Sequence, residues 1–463
     1  MVNLRVLRIE LRRSVAPWAG AVVLVPALAF LYLVDGAWWR DTTAWTAQWT
    51  SMALWTRSLL FYLWPLAVGL GALQGLRDHR STMYELLTST PRPARHRAAA
   101  LAGTTALTLA SAFALLVLVG GFQVLGNTEY THLGWLPISL VGALFLVAGA
   151  VLGMGAGRAL PSALTPPALA MTAFVFTVLM HMSLGRTKTV MAGGLPSTEP
   201  NRVSLLSPTV EEVRDTLVTL SVPVHAGQTV WLLGMAATGF ALLIAATPRT
   251  RLTALVPLLA GAVIALLMLP SDPRRMYVVD TSAAELVCEG PVCVTTAQRA
   301  RLDDLAGPGK KALRLLHAAL GGQAPDSVRE NAAVLPQGST PRWSRENVLF
   351  DFDDDMITGV KGEELTRALI AQAMVPTCVP VGWSGTTDAS SQIIAVGWVT
   401  GDLAPLDGTG YSEAEQLAEA RPVWAEFRAL PGDEQLSRIR TMRAAALSCE
   451  GDPLAALKGG ASR

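Results

Sequence analysis

Residues 77–97 read Arg77-Asp-His-Arg-Ser-Thr-Met-Tyr-Glu-Leu-Leu-Thr-Ser-Thr-Pro-Arg-Pro-Ala-Arg-His-Arg97. This short basic stretch lies between two long apolar runs, and that placement decides how the chain folds. A run of about 20 apolar residues matches the hydrocarbon core of a bilayer. Such runs recur over residues 1–271 and stop beyond Pro273. Short loops rich in Arg and Lys stay on the cytoplasmic side. The stretch therefore points to an orientation as well as an architecture.

Working outward, seven spans are expected, at Ala16–Val34, Met52–Leu73, Ala98–Val124, Trp135–Gly155, Ala163–Leu184, Val230–Ala246 and Leu252–Leu269. Pro166-Pro167 is expected to kink the start of the fifth. Four basic ends share one face: the N-terminus, residues 77–97, Arg158 and the turn Pro248-Arg-Thr-Arg251. With the N-terminus inside, all four are cytoplasmic, and an odd number of spans leaves the C-terminal region outside. If the sixth and seventh runs form a re-entrant hairpin instead, the C-terminal region is cytoplasmic. Arg5, Arg8, Arg12 and Arg13 precede the first run, which is long for a signal peptide and lacks a small-x-small site before Trp38-Trp39. It is read as a retained span.

The expected organisation is a cytoplasmic interfacial amphipathic helix over 1–15, a transmembrane domain over 16–271, and an extracytoplasmic disulfide-bonded α/β domain over 272–463. Leu4, Leu7 and Leu11 fall on one helical face, with Arg5, Arg8 and Arg12 beside them. Trp38, Trp39, Trp45, Trp49 and Trp55 crowd the first outer loop and read as an aromatic belt. Arg57, near the outer end of the second span, is a candidate substrate contact, but snorkelling outward is the preferred reading. A short outer helix is expected from Ser207 to Leu217. The fold class is thus a polytopic α-helical membrane protein of about seven spans with a C-terminal mixed α/β soluble domain. In that domain, strands are expected at Met276–Val279 and Asn347–Phe352. Helices are expected at Thr296–Leu305, Lys310–Leu320, Gly362–Met374 and Glu434–Leu447.

A formal net charge of +1 hides an asymmetry. Residues 1–275 carry 20 Arg/Lys against 11 Asp/Glu, and the remainder carries 17 against 25. A basic membrane half joined to an acidic soluble half argues against nucleic acid as a partner.

All four cysteines, Cys288, Cys293, Cys378 and Cys449, lie in the C-terminal domain. An even count confined to an outward-facing domain favours two disulfides, with Cys288–Cys293 and Cys378–Cys449 the preferred pairing of three. Zinc is the competing reading, but only one close cysteine pair exists, and His317 is the domain's one histidine. No metal site is expected. A Ser–His–Asp arrangement would have to use His317, which sits in an amphipathic helical pattern. The run Asp351-Phe-Asp-Asp-Asp355 lacks the glycine and distant glutamate of a calcium loop and reads as a solvated charge run. Gly307-Pro-Gly-Lys-Lys-Ala lacks the spacing and hydroxyl of a phosphate loop. The chain is therefore expected to be no enzyme and to bind no cofactor itself.

The stretch 77–97 fits a partner's role. Thr82–Thr90 is expected to form a short helix parallel to the membrane, ended by Ser89-Thr90-Pro91-Arg92-Pro93. Glu85-Leu86-Leu87-Thr88-Ser89-Thr90-Pro91, followed by Arg92, Arg95 and Arg97, resembles the corresponding loop of ABC-2 type permeases, the membrane subunits of bacterial ABC exporters. The amphipathic N-terminal segment is similar to that family's interfacial elbow helix. The resemblance covers residues 1 to about 247. It implies a homodimer or heterodimer of permeases in the plasma membrane, bound to cytoplasmic ATPase subunits that carry ATP and Mg. The implied contact runs through Arg80, Thr82, Glu85, Leu86, Leu87, Ser89, Thr90, Pro91 and Arg92. The chain departs from the family's usual six spans and cytoplasmic end by adding a seventh span and an outer domain, a tail resembling that of some actinobacterial permease-like proteins. Other readings are a membrane sensor or scaffold whose outer domain binds a ligand or envelope partner, and a membrane-anchored enzyme. The orientation has a direct test. A reporter active only outside the cytoplasm, fused after Arg463, is expected to be active; activity of a cytoplasm-only reporter there would mean six spans and an inner domain.

Overall fold

A computed structural model describes residues 16–34, 46, 48–77, 93–182, 187–190, 196–198, 201–209, 217–272, 275–333, 335, 339–352, 354–379, 389–409 and 411–459. The expected N-terminal amphipathic helix, the outer helix from Ser207 and the helix Thr82–Thr90 lie wholly or mostly outside these residues, as do Trp38, Trp39 and Trp45. The chain divides into two compact units. One comprises Met1–Asn127, Thr131–Lys188 and Thr198–Val278, the other Thr128–Tyr130, Thr189–Ser197 and Val279–Arg463.

The first unit is built from apolar helices: α1 (Ala16–Ala29), α2 (Trp49–Ser58), α3 (Leu60–Gly75), α4 (Ala94–Asn127), α5 (Trp135–Ala159), α6 (Thr165–Met182), α7 (Val222–Ile244), α8 (Pro248–Thr253) and α9 (Val256–Met268). By length and composition, four described helices could cross a membrane: α4, α5, α7 and the joined stretch Pro248–Met268. The pair α2 and α3, bent by 49°, would make a fifth. The first and fifth expected spans appear as shorter apolar helices.

The bend has a local cause. Ser58 donates its hydroxyl to the Trp55 carbonyl at 2.7 Å and Thr56 donates to Ala53 at 3.0 Å. Side-chain bonds of this kind compete with the helix ladder just before the break. Pro166 and Pro167 do not kink α6 as expected. The helix begins at Thr165, so they occupy its first turn, where a missing N–H costs nothing. The sixth span starts at Val222 rather than Val230, because His225, Gln228 and Thr229 hide a helical turn from a hydropathy reading.

Helix α5 is the centre of this unit and packs on α2, α3, α4 and α7. Its contacts are made by backbone. A Cβ at Gly153 would stand 2.1 Å from the Val68 carbonyl oxygen, and one at Gly71 2.1 Å from that of Ala150. On the other flank a Cβ at Gly239 would stand 2.3 Å from the Val151 oxygen. Lipid is as apolar as a leucine surface, so helices in a bilayer associate through close van der Waals approach at small residues.

The second unit carries strands β1 (Leu286–Glu289), β2 (Val292–Thr295), β3 (Ser327–Glu330) and β4 (Asn347–Phe350) in that spatial order. β1 and β2 form an antiparallel hairpin, and β2, β3 and β4 run parallel. The crossover from β2 to β3 is a helix, α10 (Leu302–Leu320). Two helices separated at Gly307-Pro308-Gly309 were expected here; one continuous helix is found. Leu302, Leu305, Ala306, Gly309, Ala312, Leu313, Leu316 and Leu320 form one buried face, and Gly309 lets it rest on Val292. Burial of that face outweighs the lost hydrogen bond at Pro308. Further helices follow: α11 (Gly362–Met374), α12 (Ala389–Thr400), α13 (Glu413–Arg428) and α14 (Gly432–Ser448).

Buried Arg443 of α14 ties this unit together. Its Nε donates to the Ala373 carbonyl at 3.0 Å, Nη1 to Gln323 at 2.7 Å and Nη2 to Arg345 at 3.0 Å. The two disulfides are Cys288–Cys293, between directly opposed residues of the hairpin, and Cys378–Cys449. Cys449 ends α14 in the left-handed region at φ 54°, a place usually taken by glycine. The two cross-links should differ in value, since they are 5 and 71 residues apart in sequence. Loop-closure entropy gives about 2 kcal/mol for the short one and about 4 kcal/mol for the long one. Calorimetry of the full protein should show the larger fall in unfolding temperature for Cys378→Ser/Cys449→Ser, and equal falls would refute this account.

Candidate functional site

The nine residues expected to meet an ATPase, Arg80, Thr82, Glu85, Leu86, Leu87, Ser89, Thr90, Pro91 and Arg92, lie outside the described residues. Their flanks are described. Helix α3 ends at Gly75, followed by an exposed Arg77, and α4 begins at Ala94 with Arg95 and Arg97 in its first turn. The stretch thus opens directly into a helix of 34 residues. A rigid helix of that length carries a displacement at one end to the other.

Arg57 departs from expectation. It does not snorkel outward; its side chain is 0% exposed, within the first unit. Its Nη2 donates to Gln228 Oε1 at 2.6 Å and its Nε to the Pro208 carbonyl at 3.3 Å. The guanidinium carbon stands 5.5 Å from the centre of the Phe145 ring. Partners from α7 and from the segment before residue 209 hold the head inside, and their approach is invisible in a linear sequence. The same unit holds a small cavity with room for about one water molecule. It is lined by Ala19, Ala67, Gly71, Gln74, Thr105 and Ala150. Nothing in its lining carries charge.

In the second unit, the residues weighed from sequence take the following places. His317 is exposed on α10, 3.9 Å from Asp326. Gly307 to Lys311 lie inside α10, not in a loop, and Lys310 and Lys311 pair with Glu289 and Glu363. Asp354 accepts from the Met356 amide at 3.0 Å and from Gln372 Nε2 at 2.5 Å, as a helix cap does. Among the described residues no group of three His, Cys, Asp or Glu could hold a metal.

Glu330 was not singled out from sequence. It ends β3, is 5% exposed, and accepts from the Thr295 amide at 2.6 Å. Burial pushes its carboxyl up to about 7, the neighbouring Asp351 charge adds to this, and the Thr295 amide and Arg301 oppose it. Its only sequence signal is a Glu following Ser-Val-Arg, where alternation along β3 puts it on the same face as buried Val328.

Compared with known proteins, the chain matches no family model, no curated protein and no solved structure. Its function must be argued from its own residues.

The Glu330 carboxyl gives a pH prediction. The folded value of about 7 lies above the ordinary 4.5, so the folded state keeps a proton that the unfolded chain has lost. Its contribution is therefore complete at low pH and declines between about 4.5 and 7, by roughly 3 kcal/mol in all. Glu330→Gln retains an acceptor for the Thr295 amide and cannot ionise. Calorimetry should show the variant no different at low pH and more stable above neutrality. Equal pH profiles for the two proteins would overturn this.

Proposed function

We propose that the chain is the permease subunit of an ATP-driven exporter in the plasma membrane, energised by a separate ATPase that docks on residues 80–92. The observation that carries this reading is Glu85-Leu86-Leu87-Thr88-Ser89-Thr90-Pro91 with Arg92, Arg95 and Arg97 following, set between α3 and α4. The apolar bundle supports it, with α4 taking up the push where the basic stretch ends. The bend between α2 and α3 gives that bundle a place to flex. In this reading seven spans cross the membrane, the first and fifth as short helices supplemented by flanking residues, and the disulfide-bonded unit lies outside. Two disulfides fit an oxidising compartment. ATP and Mg belong to the partner, and the transported molecule is an open choice among antibiotic, peptide, lipid and polysaccharide.

A second reading, a membrane sensor or scaffold, is favoured by the separate disulfide-bonded unit. The two are separated by purifying the tagged protein in mild detergent and identifying its partners by mass. The permease reading expects a stoichiometric ATPase with a phosphate loop, lost when Glu85, Leu86 and Leu87 are replaced by alanine. Recovery of the protein alone, or with envelope proteins unaffected by those substitutions, would favour the sensor or scaffold.

A further inference from the structure

We propose that the first unit binds an oxyanion, a carboxylate or phosphate group, on the buried guanidinium of Arg57. The inference goes beyond the permease reading and does not need it. A charge removed from water is costly unless paired and fully hydrogen-bonded. Arg57 is 0% exposed, and no carboxylate among the described residues contacts it. Its neighbours are an amide oxygen, a peptide carbonyl and an aromatic ring, with Tyr277 and His225 within electrostatic reach. Two of its three nitrogens are engaged, and buried Nη1 has no hydrogen-bond partner. Arg443, by contrast, satisfies all three of its nitrogens with carbonyls. Two more unpartnered polar atoms, Ser221 Oγ and His225 Nδ1, lie one turn apart at the start of α7, the turn that leads to Gln228. An oxyanion is the ligand that a buried guanidinium with a free nitrogen recognises, because its N–H donors call for acceptor oxygens.

The segment 204–208 lies against Arg57 and Gln228, and Leu205, Leu206, Ser207 and Pro208 are all buried. Three side chains hold it. Gln228 Nε2 donates to Leu205 O at 2.8 Å, Trp231 Nε1 to Leu206 O at 3.1 Å and Arg57 Nε to Pro208 O at 3.3 Å. Gln228 therefore serves both the cation and the cover. An anion that engages Nη1 and competes for Nη2 frees Gln228 and loosens the cover, so entry and release of the anion are coupled to this segment.

The test uses the full-length protein in neutral detergent, with its unfolding temperature as readout. Inorganic phosphate is titrated at constant ionic strength against chloride, and in a second arm the micelles are doped with phosphatidylglycerol. A saturable rise with phosphate identifies a soluble oxyanion; a rise only with the lipid identifies a headgroup. Arg57→Gln is expected to weaken the apparent affinity by about tenfold to a hundredfold, as for loss of a charge-assisted hydrogen bond. The exposed Arg249→Gln should bind as the unmodified protein does. If Arg57→Gln does not fold, Gln228→Glu decides, since it supplies Arg57 with a carboxylate from within and should abolish the anion response. Absence of any saturable response, or an undiminished response in Arg57→Gln or Gln228→Glu, would overturn the proposal.

Discussion

The architecture of the first unit depends on the closeness of α5 to its neighbours. Along α5, Gly149, Gly153 and Gly157 recur at helical spacing on the face toward α3, while Gly155 faces Gly239 of α7. At Gly153, Gly155 and Gly157 a single added carbon would meet a carbonyl oxygen at 2.1 to 2.4 Å. In a bilayer the hydrophobic effect has already been satisfied by insertion, so what joins one helix to another is contact area. Small residues permit that area, and the order of helices around α5 follows from where they fall. The sharp bend in this frame is the 49° break between α2 and α3, where the Thr56 and Ser58 hydroxyls bond to helix carbonyls.

Two buried arginines illustrate how the two units treat charge. Arg443 is surrounded by the carbonyls of three separate segments and acts as a brace. Arg57 has one carbonyl, one amide oxygen and a nitrogen with no partner. The same side chain acts as a brace where each nitrogen meets a carbonyl, and at Arg57 one nitrogen is left without a partner. Glu330 is the anionic counterpart in the second unit. Its burial raises the cost of ionisation, and one backbone amide only partly offsets that cost.

The second unit adds a small mixed sheet to helices, held by covalent links at two scales. Cys288–Cys293 closes a hairpin already aligned by its ladder, whereas Cys378–Cys449 joins positions 71 residues apart. A non-glycine residue in the left-handed region at Cys449 is the local concession to that second link. Arg443 and the long disulfide both anchor α14, so the last long helix is fixed to the rest of the unit by a brace at one point and a bond at another.

Composition and periodicity alone determined that the chain has an apolar, helical first part and a mixed α/β second part with its cysteines together. Those features are local: apolar length, charge placement and cysteine count are written residue by residue. The preferred disulfide pairing was also legible, since Cys288 and Cys293 flank a Gly-Pro turn. The start of α7, the continuous α10 and the role of Glu330 were not, because each depends on what packs against it. Pro308 breaks a helix in isolation and is tolerated where a buried face holds the helix together. Arg57 reads as a snorkelling residue until Gln228, 171 positions away in sequence, meets it in space. Tertiary structure decided which polar groups are sealed from water, and a buried group's chemistry follows from its neighbours rather than from its place in the chain.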